Sequence, residues 1–437
     1  MTLFVGAFLD TPADPFDGGR LRRGDALLVV DGVIRARGDA AVLRRDHPGE
    51  DVVELGSGLG LPGFVDTHVH FPQVRMIGAL GMPLLDWLER SALPEEARLA
   101  EASYAADVAG EFLGALLNSG TTTALVFGSH FASAVDVLFA RAAEIGLRVT
   151  SGLVVSDRIL REDLLTTPDR AYHEGLALAR RWHGVGHARY AVIPRFSLSC
   201  TDPLLDSCGA LVGALDEAWV TSHINENTAE IETVRAFFDD CPDYLTSYAR
   251  HGLVTGRSVF AHNVHATPTE LEAMAAAGAS VAHCPTSNSA LGSGLFPLRE
   301  HVQHGVGVAL GSDVGAGTGF SLLKEGLQAY FMQQLLGPRG LPLTSAHLLH
   351  LATRAGARAL GLGEVVGDFE VGRQFDAVWL DPHPGTALEV GLRHARDEDD
   401  AVAKVFALGT DADVAGVWVA GREVTARRPT LRRRPVA

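Results

Sequence analysis

Between residues 61 and 313 the chain alternates short β-branched or apolar runs with longer Ala- and Leu-rich stretches of helical period. No other feature constrains the fold as much, because neighbouring parallel strands need a long crossover, usually a helix, between them. Eight runs keep the rhythm: Leu61–His70, Thr121–Gly128, Arg148–Ser156, Ala191–Ser199, Trp219–His223, Ser258–His262, Ser280–His283 and Gly307–Asp313. Helices are clearest at Ala105–Leu117, Ser133–Ile145 and Pro268–Ala277. Eight strands joined by eight crossovers make an α/β protein with a closed, TIM-like (β/α)8 barrel. A doubly wound open sheet is the alternative, but it announces itself by a G-x-G-x-x-G turn after its first strand. Here the first run ends in His68-Val69-His70 and leads into Phe71-Pro72.

The two ends of the chain read differently. In Ala26–Gly38, two β-rich runs flank Asp31-Gly32, a hairpin signal because both turn positions tolerate positive φ. After about residue 365 the same texture returns, in the last apolar run of GDFEVGRQFDAVWLD and in Val417–Val424. Strand-rich ends around a barrel predict one small, discontinuous β domain, residues 1–60 with 366–437, and a catalytic barrel over 61–365.

Charge and cysteine narrow the function. A formal net charge of −16 argues against nucleic acid, whose phosphates need clustered Lys and Arg. The one basic cluster, Arg427, Arg428, Arg432, Arg433 and Arg434, reads as a solvated tail. No uncharged apolar run reaches the roughly 18 residues of a membrane span, and the N-terminus lacks the basic start of a signal peptide. Cys200, Cys208, Cys241 and Cys284 form no C-x2-C pair, which suits a reducing compartment. A cytoplasmic protein with no membrane partner is expected.

In such barrels the active site lies at the C-terminal ends of the strands. Run one ends in His68 and His70, run five in His223, run six in His262, run seven in His283 and run eight in Asp313. A lone histidine at a strand end is ordinary; five strand ends carrying ligand-type residues are not. Residues i and i+2 of a strand share a face, so His68 and His70 can bind one ion. His223 and Asp313 close the site from across the mouth. Imidazoles with one carboxylate suit Zn2+ or Fe2+ with a position left open for an activated water. Glu226, three residues after His223, is placed to move a proton without ligating the metal; its bland reading is a helix-start carboxylate. The fourth run holds Arg195 and Phe196 but none of the lysine that bridges two metals in related barrels, so one metal per subunit is expected.

The run Leu61-Pro62-Gly63-Phe64-Val65-Asp66-Thr67-His68-Val69-His70 resembles the first-strand signature of the amidohydrolase superfamily. Phe71-Pro72-Gln73, Pro83–Leu88, Pro194–Ser199, Ser222–Asn227 and His283–Asn288 resemble its guanine deaminase branch, in order and over nearly the whole chain. The resemblance implies hydrolytic deamination of guanine to xanthine and ammonia at a single zinc held by His68, His70, His223 and Asp313. It implies that Asp313 also takes a proton from the water, that His262 hydrogen-bonds that water, and that Glu226 protonates the ring. Gln73, Arg195 and Phe196 would grip the purine. His283 stands between substrate contact and a supporting role, and Arg195 between substrate contact and a barrel-rim salt bridge. The family's partner state implies a homodimer. Where the family carries a small residue after His262, this chain has Asn263-Val264-His265, which raises whether His265 reaches the site. Two rivals remain open: an aminohydrolase or chlorohydrolase for a pterin, oxidised purine or triazine, and a barrel without catalysis that serves as a scaffold.

Overall fold

A computed structural model describes residues 1–425 and the pair Arg433–Arg434. Arg427, Arg428 and Arg432 of the basic cluster lie outside the described residues.

Eight parallel strands form the barrel in sequence order: β5 Phe64–His70, β6 Thr121–Ser129, β7 Arg148–Val155, β8 Arg189–Pro194, β9 Trp219–Ile224, β10 Ser258–His262, β11 Ser280–His283 and β12 Gly307–Leu310. The seam between β12 and β5 is joined through side chains and loop backbone. The Thr67 hydroxyl donates to the Leu310 carbonyl (2.8 Å), and the Asp313 N–H donates to the His68 carbonyl (2.8 Å). Several expected runs are trimmed. The fourth ends at Pro194, and Ser197–Ser199 coil into a 3-10 turn. The eighth ends at Leu310, and Asp313 takes a left-handed backbone, φ 48°. Both losses lie at the C-terminal mouth, where the chain stops pairing in order to aim side chains inward.

A second sheet is built from both chain ends. It comprises β1 Thr2–Asp10, β2 Arg22–Val30, β3 Val33–Gly38, β4 Asp51–Pro62, β13 Ala377–Leu380, β14 Val414–Val419 and β15 Arg422–Thr425, ordered β15-β14-β13-β4-β1-β2-β3. The short β16, Arg433–Arg434, pairs with β4, so the backbone of these two residues of the expected tail is part of the sheet. Asp31 and Gly32 turn β2 into β3 with φ of 50° and 79°, as both positions of this hairpin require. The expected single strand over Val417–Val424 is instead a second hairpin, turned at Ala420 and Gly421 with φ of 47° and 76°. Phe4, Phe8, Phe369, Phe375, Trp379 and Trp418 fill this sheet's own core.

The first expected run divides between the sheets. Leu61 and Pro62 close β4 and pair with Val378 and Ala377, whereas Phe64 opens the barrel. Gly63 makes the change of sheet, and a Cβ there would stand 2.2 Å from Thr122 Oγ1. Only glycine lets the chain pass. Across the junction, the buried Arg148 guanidinium on β7 grips Asp376 through two bonds of 2.8 and 3.0 Å. Between β13 and β14 the chain returns to the barrel's outer layer as the helices Ala387–Arg393 and Glu398–Leu408. There Phe406 packs over Gly326 of the helix Leu322–Leu335. Among the described residues no helix is long and apolar enough to cross a membrane.

Candidate active site

Strand alternation puts His68 and His70 on the inner face of β5, and their rings meet His223 from β9 and Asp313 from the loop after β12. One nitrogen or oxygen from each of the four lies within 4.8 Å of all the others, and all four residues are buried. The separations are short: His68 Nε2 to His70 Nε2 3.2 Å, His70 Nε2 to His223 Nε2 3.3 Å, and Asp313 Oδ1 to the first two 3.2 and 3.1 Å. Three imidazole nitrogens crowded on one carboxylate oxygen, away from water, have too few protons and acceptors to satisfy one another. A cation at their centre resolves the conflict. Donor–donor edges of this length are those of a tetrahedron with bonds of about 2.0 Å, so the residues fit a divalent metal.

The protonation states agree. Burial holds the His68 ring down at about 4, so it offers a free lone pair at neutral pH. Burial would raise the Asp313 carboxyl, but the hydrogen bonds of the neighbouring histidines outweigh it and keep it well below the carboxylate range. His223 Nδ1 lies 2.6 Å from the Arg195 carbonyl, an acceptor that fixes the proton there and leaves Nε2 free for the centre.

Around this quartet stand further buried titratable residues. His262 Nδ1 donates to Asn288 Oδ1 (3.0 Å), which turns Nε2 toward Glu226 Oε2 at 3.5 Å and Asp313 Oδ2 at 3.8 Å. Burial, reinforced by the Asp313 charge, pushes the Glu226 carboxyl up to about 8. It therefore carries a proton at neutral pH. The Ser293 hydroxyl donates to Glu226 Oε1 (3.2 Å), and His265 Nε2 bonds the Ser293 carbonyl (2.7 Å). His265 is thus one residue removed from Glu226. Asn225, His262, Asn263 and Asp313 all have φ between 48° and 71°, a cluster of unfavourable backbone at three strand ends.

The third part is a cavity lined by His70, His223, Glu226, His262 and Asp313 together with Gln73, Trp87, Arg195, Phe196 and Leu291 among others. Arg195 is both a lining residue and an ion pair, since its two terminal nitrogens donate to Glu96. Gln73 Nε2 donates to the same carboxylate (2.7 Å). Burial alone would raise the Glu96 carboxyl, but the Arg195 charge and hydrogen bonds outweigh it and hold it at about 2. His283 does not line this cavity. Its ring stacks on Phe296 at 4.2 Å, fully buried, and burial depresses it to about 3.

Comparison with known proteins places this arrangement. The amidohydrolase family model matches residues 60–424. The chain belongs to the amidohydrolase family. Within it, the chain is 59% identical to a probable guanine deaminase of Deinococcus radiodurans, over 98% of this chain and 99% of that one. It superposes on the guanine deaminase of Escherichia coli with a TM-score of 0.94 at 34% identity, covering 98% of this chain and all of that one. The guanine deaminase of C. acetobutylicum, solved with guanine in its active site, gives 0.90 at 26% identity over 97% and 100%.

Read as an amidohydrolase, the chain holds site residues that its motifs did not announce. Asp66, in the same strand as the two histidines, accepts from the N–H groups of His68 (3.2 Å) and Ser312 (3.0 Å) and so ties the loop that bears Asp313 to β5. Asn288 and Ser293, in and after the short helix Pro285–Ala290, set His262 and Glu226. Glu96 is the most consequential omission. It stands in Pro94-Glu95-Glu96, where nothing separates it from Glu95, which instead pairs with Arg98 (3.0 Å).

Proposed function

We propose that this protein is a guanine deaminase that hydrolyses guanine at C2 to xanthine and ammonia, with one zinc ion held by His68, His70, His223 and Asp313. The reading is carried by the cavity wall facing that quartet. There Gln73 Oε1 and Arg195 Nε–H are buried with no partner, because the remaining polar atoms of both side chains are committed to Glu96. An unpartnered acceptor and an unpartnered donor on two residues that line the same cavity match in kind the N1–H and O6 of guanine. The relative solved with guanine in its active site supports the same choice.

When bound, the ion supplies a nucleophile near neutral pH by lowering the pKa of water. Asp313 is held as a carboxylate and can receive that water's proton. His262 Nε2, between Asp313 and Glu226, hydrogen-bonds the attacking oxygen. Glu226 arrives protonated and gives its proton to the ring nitrogen beside C2, so that no full negative charge builds on the purine. Having lost it, Glu226 can take the proton left on the attacking oxygen and deliver it to the departing amine, while the proton held by Asp313 returns Glu226 to its starting state. Phe196 and Trp87 supply apolar walls that exclude further water from the site. His283 stays outside the cavity lining, stacked on Phe296, and takes no part in these steps.

Adenine presents an amine at C6 and a bare N1, which sets donor against donor and acceptor against acceptor. A site whose buried polar groups are left unpaired discriminates by about 10⁴–10⁵-fold. Ammonia release from guanine should therefore exceed that from adenine or melamine by about that factor. Arg195→Ala should lower kcat/KM for guanine by about 100-fold or more with metal content unchanged. Pterins share the N–H and carbonyl edge, so a pterin turned over in preference to guanine would replace the substrate in this reading while leaving the reaction class intact.

A further inference from the structure

We infer that Glu96, which touches no substrate, is the residue that sets which hydrogen-bonding edge this site accepts. The inference rests on the reading of guanine as substrate and adds the cause of that choice.

A glutamine side chain is ambiguous. Its amide offers an acceptor or two donors according to which way it is turned, and the two orientations differ little in shape. The specificity of a site built on Gln73 therefore depends on what removes that freedom. Glu96 does so, because an ionised carboxylate only accepts. It is fully enclosed, and the Arg195 guanidinium keeps it ionised. Gln73 Nε2 stands 2.7 Å from Glu96 Oε1, so the NH₂ end is the one that faces the carboxylate. Oε1 is left as a bare acceptor with no other partner. Turning the amide over would put Oε1 against a buried carboxylate oxygen, a repulsion with no water to relieve it.

The same carboxylate fixes the neighbouring donor. Both terminal nitrogens of Arg195 are spent on Glu96, in a fork that sets the guanidinium plane and leaves Nε–H unpartnered. His130 fills the space behind, with Nε2 3.6 Å from Glu96 Oε2 and 3.4 Å from Arg195 Nη1. Burial keeps its ring down at about 4, hence neutral, so it adds no competing charge. Gly315 completes the enclosure, since a Cβ there would lie 2.0 Å from Gln73 Oε1. One carboxylate thus turns an ambiguous amide and a many-armed cation into an ordered acceptor–donor pair.

Glu96→Gln tests this with almost no change in shape. Its amide can turn its own NH₂ toward Gln73, which frees Gln73 to present either end. The measurement is kcat/KM for guanine against 2,6-diaminopurine, which keeps the C2 amine but has an amine at C6 and a bare N1. In E96Q the guanine value is expected to fall by about 100-fold, mainly through KM. The 2,6-diaminopurine value should hold or rise, so that the ratio drops at least tenfold with metal content intact. The double variant Q73E/E96Q restores an acceptor-only group beside the purine and is expected to regain at least tenfold of the lost preference. A purely structural role for Glu96 would depress both substrates together and give no such rescue. Where E96Q does not fold, E96D keeps the charge beside Arg195 but draws the carboxylate away from Gln73, and the ratio should again fall. A folded, metal-loaded E96Q or E96D with the wild-type ratio overturns the inference alone. Wild-type protein that does not deaminate guanine overturns it together with the substrate reading.

Discussion

Alanine in place of His68 or His223 is expected to remove bound metal and turnover together. Four donors share the binding free energy, and zinc held by four protein ligands in a folded site binds with about 10–16 kcal/mol. One ligand of four then accounts for about 3 kcal/mol, which is about 100-fold in affinity. The remaining donors are also spoiled, since His70 and Asp313 were arranged around the missing nitrogen at 3.1–3.3 Å. Metal analysis after dialysis should find the variants largely empty, with ammonia release from guanine near background. The fold should survive, because the quartet sits at the strand ends and not in the packed layers of the barrel. Stoichiometric metal in either variant would show that another residue completes the site.

Glu226→Gln separates proton transfer from metal binding. The carboxyl lies outside the quartet, is buried, and is protonated at neutral pH because burial and Asp313 raise it to about 8. Glutamine keeps the size and can still take the hydrogen bond from Ser293, but it cannot release a proton and recover it. A general acid–base group contributes about 10²–10⁴-fold, so kcat should fall by that amount while metal content and thermal stability stay close to wild type. The pairing of full metal with lost turnover distinguishes this role from that of His68. Near-native turnover would move the proton shuttle to His262 or Asp313.

What the sequence disclosed follows from the kind of signal each residue sends. The barrel is carried by repetition, eight runs with helical spacers, and a repeated pattern survives errors of a residue or two at every boundary. His68, His70, His223 and Asp313 were visible because they end β-type runs, and strand ends are where a barrel gathers its site. The run boundaries were less visible, for a physical reason. Leu61 and Phe64 are both fully buried and equally apolar, so hydrophobicity does not mark the change of sheet at Gly63.

Glu96 was hidden for another reason. It comes from the short helix Leu93–Ala97 between β5 and β6, nearly a hundred residues from Arg195, and neither its own type nor its neighbours distinguish it from the other acids around it. Only the fold brings one carboxylate to both Gln73 and Arg195. Substrate contact and salt bridge are alternatives for Arg195 in a sequence, which gives each residue one position. In three dimensions its terminal nitrogens form the salt bridge with Glu96 and leave Nε without a partner.

Oxygen-labelled water tests most directly whether water replaces the C2 amine of guanine. Purified protein with its metal, guanine and H₂¹⁸O should give xanthine bearing one labelled oxygen at C2, with one ammonia released per xanthine. The C6 carbonyl, paired with the Arg195 Nε–H in this reading and never attacked, should keep its unlabelled oxygen. Guanine recovered unchanged by metal-loaded protein, or label found at C6, would contradict the account.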